Sequence, residues 1–138
     1  MVVASSGISA LLLPGGRTAH SRFRIPINPL ENATCDIKHG TQLAELISLT
    51  SLIIWDEAPM DHRYAFEAVD RSLKDILLIN DLSLTNAPFG GKTILLRGDF
   101  RQILLVVPKG KRQDIVLGSI NRSHHIISYH IIYNKSWA

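Results

Sequence analysis

A chain of 138 residues is the length of about one domain. Its composition, 46% hydrophobic and 20% charged, supplies a core and excludes a largely disordered polymer. A single cysteine, Cys35, excludes an internal disulfide framework and a cysteine-based zinc cluster. No apolar run approaches the ~18–20 residues of a membrane span. The net charge of +3 is unevenly spread. Residues 1–30 carry Arg17, Arg22 and Arg24 and no acid, residues 31–91 carry a net −6, and residues 92–138 a net +6. Basic ends of this kind favour phosphate-bearing partners, while the same charges also describe an ordinary solvated surface. The apolar start has no basic residue before Arg17 and is broken by Pro14-Gly15-Gly16, so it reads as mature fold rather than a secretory signal.

In chain order, residues 1–4 are apolar and β-branched and predict the end of a buried strand. Ser5-Ser6-Gly7 turns the chain into a helix over 8–13, which Pro14-Gly15-Gly16 ends. Residues 17–26 are basic and read as a loop or short helix, and 27–40 as an irregular connection. Leu43, Leu46 and Ile47 predict a helix over 41–49. Leu52-Ile53-Ile54-Trp55 is an unbroken apolar strand, a pattern that implies burial on both faces. Asp61 is placed to cap the next helix, marked by Phe66, Val69, Leu73, Ile76 and Leu77. Glu67–Arg71 and Asp70–Lys74 are spaced as i,i+4 ion pairs on it. Residues 80–88 read as a polar loop, 93–96 as a second buried strand, and 108–112 as a basic turn. Residues 114–120 suit a short helix and 126–133 are apolar and β-prone. Strands alternating with helices predict an α/β fold with a mainly parallel sheet.

The chemistry concentrates at strand ends. Asp56-Glu57 follows four apolar residues, so both carboxylates emerge at the C-terminal end of a central strand, where open α/β sheets bind ligands. This is the Walker B arrangement, in which the first carboxylate holds Mg²⁺ and the second takes a proton from water. A solvated acidic turn fits the same residues. Gly91-Lys92-Thr93 imitates the end of a phosphate loop. The required earlier glycine is Asn86, and Thr93 opens a strand instead of a helix, so no anion-binding loop is expected there. Gly98-Asp99-Phe100-Arg101-Gln102 ends the second strand and could face the same cleft. Gln102 could sense a γ-phosphate and Arg101 offers a donor fork, although read alone the segment better fits a capped strand end with surface charges.

Taken together, four blocks resemble the petite-integration-frequency (Pif-type) DNA helicases, in particular their plant and Helitron-associated branch. They are Ser5-Ser6-Gly7, Leu13-Pro14-Gly15-Gly16-Arg17-Thr18-Ala19-His20-Ser21-Arg22-Phe23, Ile53-Ile54-Trp55-Asp56-Glu57-Ala58-Pro59-Met60, and Gly98-Asp99-Phe100-Arg101-Gln102. The resemblance implies a recombinase-like P-loop NTPase domain and a 5′-to-3′ ATP-dependent helicase using ATP and Mg²⁺ on single-stranded DNA. It implies service in DNA repair, recombination and telomere maintenance, and a nuclear location with an organelle as the alternative. Carried over by position, Asp56 holds Mg²⁺, Glu57 is the catalytic base, and Gln102 touches the γ-phosphate, with Arg101 beside the nucleotide. Ser6, Gly7 and His20 fall in the segment that touches DNA, and Arg17 and Arg22 add positive charge there. A loop histidine packed on Phe23 is the alternative reading of His20.

The chain also departs from that family's pattern. Arg97 stands where a glycine is usual before Gly98-Asp99, and Leu105 where proline is usual. The resemblance covers residues 1–123, read as part of a first motor domain lacking its phosphate loop, and residues 124–138 read as a divergent tail. The phosphate-loop segment and the second motor domain are expected to be missing. A non-catalytic remnant with at most weak DNA or partner binding is the alternative function.

Overall fold

The computed structural model describes residues 1–78, 82–99, 107 and 109–123. Its centre is a four-stranded, all-parallel sheet in the order β2-β1-β3-β4, formed by β1 (Val2–Ala4), β2 (Arg17–Thr18), β3 (Leu52–Asp56) and β4 (Thr93–Leu96). The fold is therefore α/β with a parallel sheet, as the alternating pattern implies. The register sets Ala4 beside Asp56 and Trp55 beside Leu96. The two inner strands thus end level with each other, and β4 ends next to them.

Between the strands run α1 (Gly7–Leu11), α2 (Ala19–Phe23), α3 (Gln42–Leu49) and α4 (Arg63–Leu78), with α5 (Arg112–Gly118) after β4. Each of the first three starts on a hydroxyl cap. Ser6 accepts from the Ser9 N–H, Thr18 from Ser21 and Thr41 from Ala44. Those bonds satisfy helix donors that otherwise have no partner. The basic stretch after Gly16 becomes the two-residue strand β2 and the helix α2. Part of the expected polar loop is instead the 3₁₀ turn Leu82–Asn86, and a second 3₁₀ turn spans Pro88–Gly91.

The core gathers Phe23, Ile47, Phe66, Val69 and Leu73 from the helices around Ile53 and Trp55 of β3. Trp55 is fully buried; its ring stacks on Phe23 with centroids 5.8 Å apart and meets Phe66 in a tilted contact at 4.3 Å. Burial alternates along β3, which corrects the expectation of a strand covered on both faces. Ile53 and Trp55 are sealed, Ile54 is half-buried and Leu52 is exposed, because α2, α3 and α4 pack on one side of the pleat. In β4 only Leu96 is fully buried, because this strand lies at the edge of the described sheet.

Two local expectations for α4 also change. Asp70 does pair with Lys74, at 2.7 Å, and its other oxygen takes the Phe89 N–H, so this buried carboxylate is satisfied. Glu67 does not pair with Arg71. It is buried and accepts from Ser123 Oγ at 2.7 Å, while Arg71 donates Nε and Nη2 to the Ala33 carbonyl at 3.0 and 2.7 Å. Longer-range partners that fix the 3₁₀ turn Ile120–Arg122 and the 27–40 connection outcompete the local pair.

Candidate functional site

Asp56 closes β3, an inner strand, so its carboxylate leaves the sheet at the C-terminal end. The Glu57 N–H donates to Asp56 Oδ1 at 3.1 Å, and the Ser5 N–H donates to the Asp56 carbonyl at 3.0 Å. Glu57 sits in the left-handed region, with φ 54° and ψ 34°. A non-glycine residue held there is strained, and such strain collects at functional positions. The Ala58 N–H then donates to the Arg97 carbonyl at 2.9 Å, and the Arg97 N–H to the Trp55 carbonyl at 2.9 Å. The ends of β3 and β4 are thereby laced together beside the two carboxylates. Gly98 makes the lacing possible: its φ is 147°, and a Cβ there would lie 2.6 Å from Pro59 Cδ.

Arg97 brings its guanidinium Nη1 to 3.7 Å from Asp56 Oδ2, with Arg97 more than half exposed. A cation thus stands beside the carboxylate that the sequence assigns to Mg²⁺. Arg101 and Gln102 lie outside the described residues.

The residues that the resemblance assigns to DNA separate into two groups. Ser6 caps α1 and its hydroxyl also donates to Ser9 Oγ, while Gly7 is exposed at the helix start. Next to them, Trp55 Nε1 donates to Ser5 Oγ at 3.0 Å and to Asp61 Oδ2 at 3.2 Å. His20 Nδ1 lies 3.8 Å from Asp61 Oδ1. His20 therefore faces a buried carboxylate rather than merely packing on Phe23. Asp61 does not cap α4: its side chain turns inward to the indole, and the Tyr64 N–H donates to His62 Nδ1 at 3.2 Å instead. Burial pushes the Asp61 carboxyl above its ordinary value, opposed by hydrogen bonds from Ser5 and Trp55 and by the His20 charge. Arg17 and Arg22 belong elsewhere, in a basic hollow with Arg24 between α2 and α3.

The sequence reading missed this Ser5–Trp55–Asp61–His20 connection. The available signal was the tryptophan, because a buried indole N–H needs an acceptor and only polar residues near the strand end can supply one. The imitation phosphate loop does not act as one. The Lys92 N–H is spent on the Phe89 carbonyl and the Thr93 N–H on the Ser51 carbonyl, and Lys92 Nζ donates to the Ser48 carbonyl at 2.6 Å.

Two hard carboxylates at one strand end suit Mg²⁺, which keeps most of its water and needs few protein ligands. Among the described residues no group of three metal-binding side chains occurs, so a closed protein cage for a metal is not offered. No described helix is long and apolar enough to cross a membrane.

Comparison with known proteins agrees with the fold and the motifs. The family model for PIF1-like helicases matches residues 1–134. The ATP-dependent DNA helicase PIF4 of Trypanosoma brucei brucei is 30% identical over 108 residues, which cover 75% of this chain and 13% of that protein. The Bacteroides Pif1 structure bound to ssDNA superposes with a TM-score of 0.73 at 26% identity, covering 96% of this chain and 31% of that one. The Bacteroides Pif1 complex with ADP-AlF3 and ssDNA gives 0.74 at 27% identity over the same shares. The chain thus spans about an eighth of the length of the curated relative and under a third of the solved helicases. With a family match across nearly its whole length and a parallel sheet superposing on solved relatives, the chain belongs to the PIF1-like helicase family.

Proposed function

We propose that this chain is part of the first motor domain, over residues 1–123, of an ATP-dependent DNA helicase. The observation that carries the reading is the Trp55 indole. It joins the Ser5 loop, which precedes Ser6 and Gly7, to Asp61 beside His20, one residue before the Asp56-Glu57 pair. The segment assigned to single-stranded DNA and the carboxylates assigned to nucleotide are therefore parts of one bonded unit. Asp56 would hold Mg²⁺ through water, and Glu57 would accept the proton of the attacking water. Bound Mg²⁺ would neutralise charge on the β- and γ-phosphates of ATP. Gln102, with Arg101, would complete the γ-phosphate contact. Ser6, Gly7 and His20 would touch the strand, with Arg17 and Arg22 adding charge. Support for 5′-to-3′ movement, for roles in DNA repair, recombination and telomere maintenance, and for a nuclear location comes from the family resemblance.

These residues provide the carboxylate half of a nucleotide site, and no described segment forms a phosphate loop to grip the β- and γ-phosphates of ATP. Turnover then needs a phosphate loop and an arginine finger from other residues, the latter alone worth ~10³–10⁵ in rate. The test is an ATPase assay with Mg²⁺ and single-stranded DNA. The 138-residue chain alone should stay at background. A longer protein supplying the phosphate loop and second motor domain should turn over ATP, and Glu57→Gln in it should abolish that rate. A longer protein whose DNA-stimulated rate survives Glu57→Gln overturns the assignment.

A further inference from the structure

We infer that the hollow between α2 and the start of α3 is a separate seat for one backbone phosphate of a nucleic-acid strand, distinct from the His20 side of the same helix. This rests on the reading that the chain binds DNA.

The hollow has a volume of about 300 Å³ and is lined by Arg17, Ser21, Arg22, Arg24 and Gln42, with Leu46 on its apolar side. No carboxylate among the described residues lines it or pairs with any of its three arginines. Arg24 makes only a long 3.5 Å contact from Nη1 to the Asp36 carbonyl. Arg22 is half-buried, and its Nε is shielded with no acceptor among the described residues. Three arginines line one concavity, and no carboxylate among the described residues neutralises them. Their mutual repulsion makes the empty hollow unfavourable and an anion in it favourable. Guanidinium forks match phosphate oxygens in pairs, and Ser21 and Gln42 add neutral donors.

The helix geometry separates this seat from the His20 side. Ala19 and Phe23 are buried and fix the inward face of α2. His20 and Arg22 then project roughly 200° apart around the axis. His20 goes toward Asp61, and Arg22 goes toward Arg17 and Gln42. A strand touching His20 would have to pass over α2 to reach the hollow, so the two contacts fall on different phosphates. Arg24 reaches the same hollow because it ends α2 in the left-handed conformation, at φ 52°.

The test is fluorescence anisotropy of a labelled oligo-dT with this chain across a salt series. Arg22→Ala/Arg24→Ala is compared with Lys109→Ala/Lys111→Ala, which removes the same charge from residues that do not line the hollow. The expected result is a loss of at least about tenfold in affinity for the arginine pair. Its salt slope should fall by about 0.7, the value for one lost phosphate on a single strand. The lysine pair should change neither by a comparable amount. Arg22→Lys/Arg24→Lys, which keeps charge but loses the fork, should fall between, and thermal melts confirm that each variant is folded. Equal losses for the arginine and lysine pairs overturn the seat and leave only net charge. If inorganic phosphate stabilises the parent through Arg22 and Arg24 while oligo-dT binding ignores both, the occupant is free phosphate and the strand assignment falls. A parent that binds no oligo-dT overturns the DNA reading itself. Binding lost with His20→Ala but kept with the arginine pair overturns the seat alone.

Discussion

The indole N–H of Trp55 donates to the Asp61 carboxylate at 3.2 Å and shares that hydrogen with Ser5 Oγ at 3.0 Å. Both acceptors belong to loops at the C-terminal end of the sheet, so a core residue of β3 ties them together. The ring itself is clamped by Phe23 and Phe66. The two roles of the side chain, packing and donation, can be separated by substitution. Trp55→Phe retains most of the packing and leaves Asp61 without its indole donor, at a cost of ~1–3 kcal/mol. Trp55→Ala also opens a cavity, and such truncations cost ~3–5 kcal/mol. Urea unfolding of the two variants should rank them in that order. Equal midpoints for parent and Trp55→Phe would show that the hydrogen bonds add nothing.

Asp61 should make stability depend on pH. Burial, the largest influence, raises its folded carboxyl above the unfolded value of 3.8. The folded state then holds the proton more tightly than the unfolded chain, so stability falls as pH rises from 3.8 through the raised value. Asp61→Asn removes this slope. The melting temperature of the variant minus that of the parent should become more positive across the window. A difference that stays flat or becomes more negative would contradict the shift.

Cys35 provides an independent measure of opening. Burial pushes its thiol up to about 11, and its N–H donates to Ser72 Oγ at 2.8 Å. The reactive thiolate is therefore scarce and shielded at neutral pH. Alkylation of the native chain should be slow and should accelerate to the rate of a free thiol in denaturant. Fast labelling of the folded chain would show that the 27–40 connection is not docked on α4.

Arg97 lies 3.7 Å from Asp56, so on the proposed reading it would compete with a metal for that carboxylate. Removing the guanidinium in Arg97→Gly should strengthen Mn²⁺ binding, read by electron paramagnetic resonance. The gain should be modest, at most about fivefold, because exposed ion pairs are worth ~0–1 kcal/mol. Unchanged or weaker Mn²⁺ binding in Arg97→Gly would mean that the pair does not hold Asp56 back.

The parts of this molecule legible in its sequence are those where one pattern dominates. Leu52-Ile53-Ile54-Trp55 marks β3, and the apolar spacing from Phe66 to Leu77 marks α4. The strand β2 is only Arg17 and Thr18, too short for any periodicity to declare it. Asp61 shows how local rules fail: an acid just before a helix looks like a cap, but the buried indole six residues away in β3 competes for it and wins. Arg17 and Arg22 looked like one basic segment with His20. The inward face set by Ala19 and Phe23 divides them, and that division needs the helix to exist first.

The most direct test of the account is the fluorescence of Trp55 during DNA binding. Trp137→Phe leaves Trp55 as the sole tryptophan. Its N–H partners, Ser5 and Asp61, adjoin the residues assigned to the strand, so binding must disturb its surroundings. Titration with oligo-dT should give a saturable change in Trp55 emission that tracks anisotropy, weakens with added salt and is lost in His20→Ala. Oligo-dT that binds by anisotropy while Trp55 emission stays constant would contradict the claim that the DNA segment and the Asp56-Glu57 strand act as one unit.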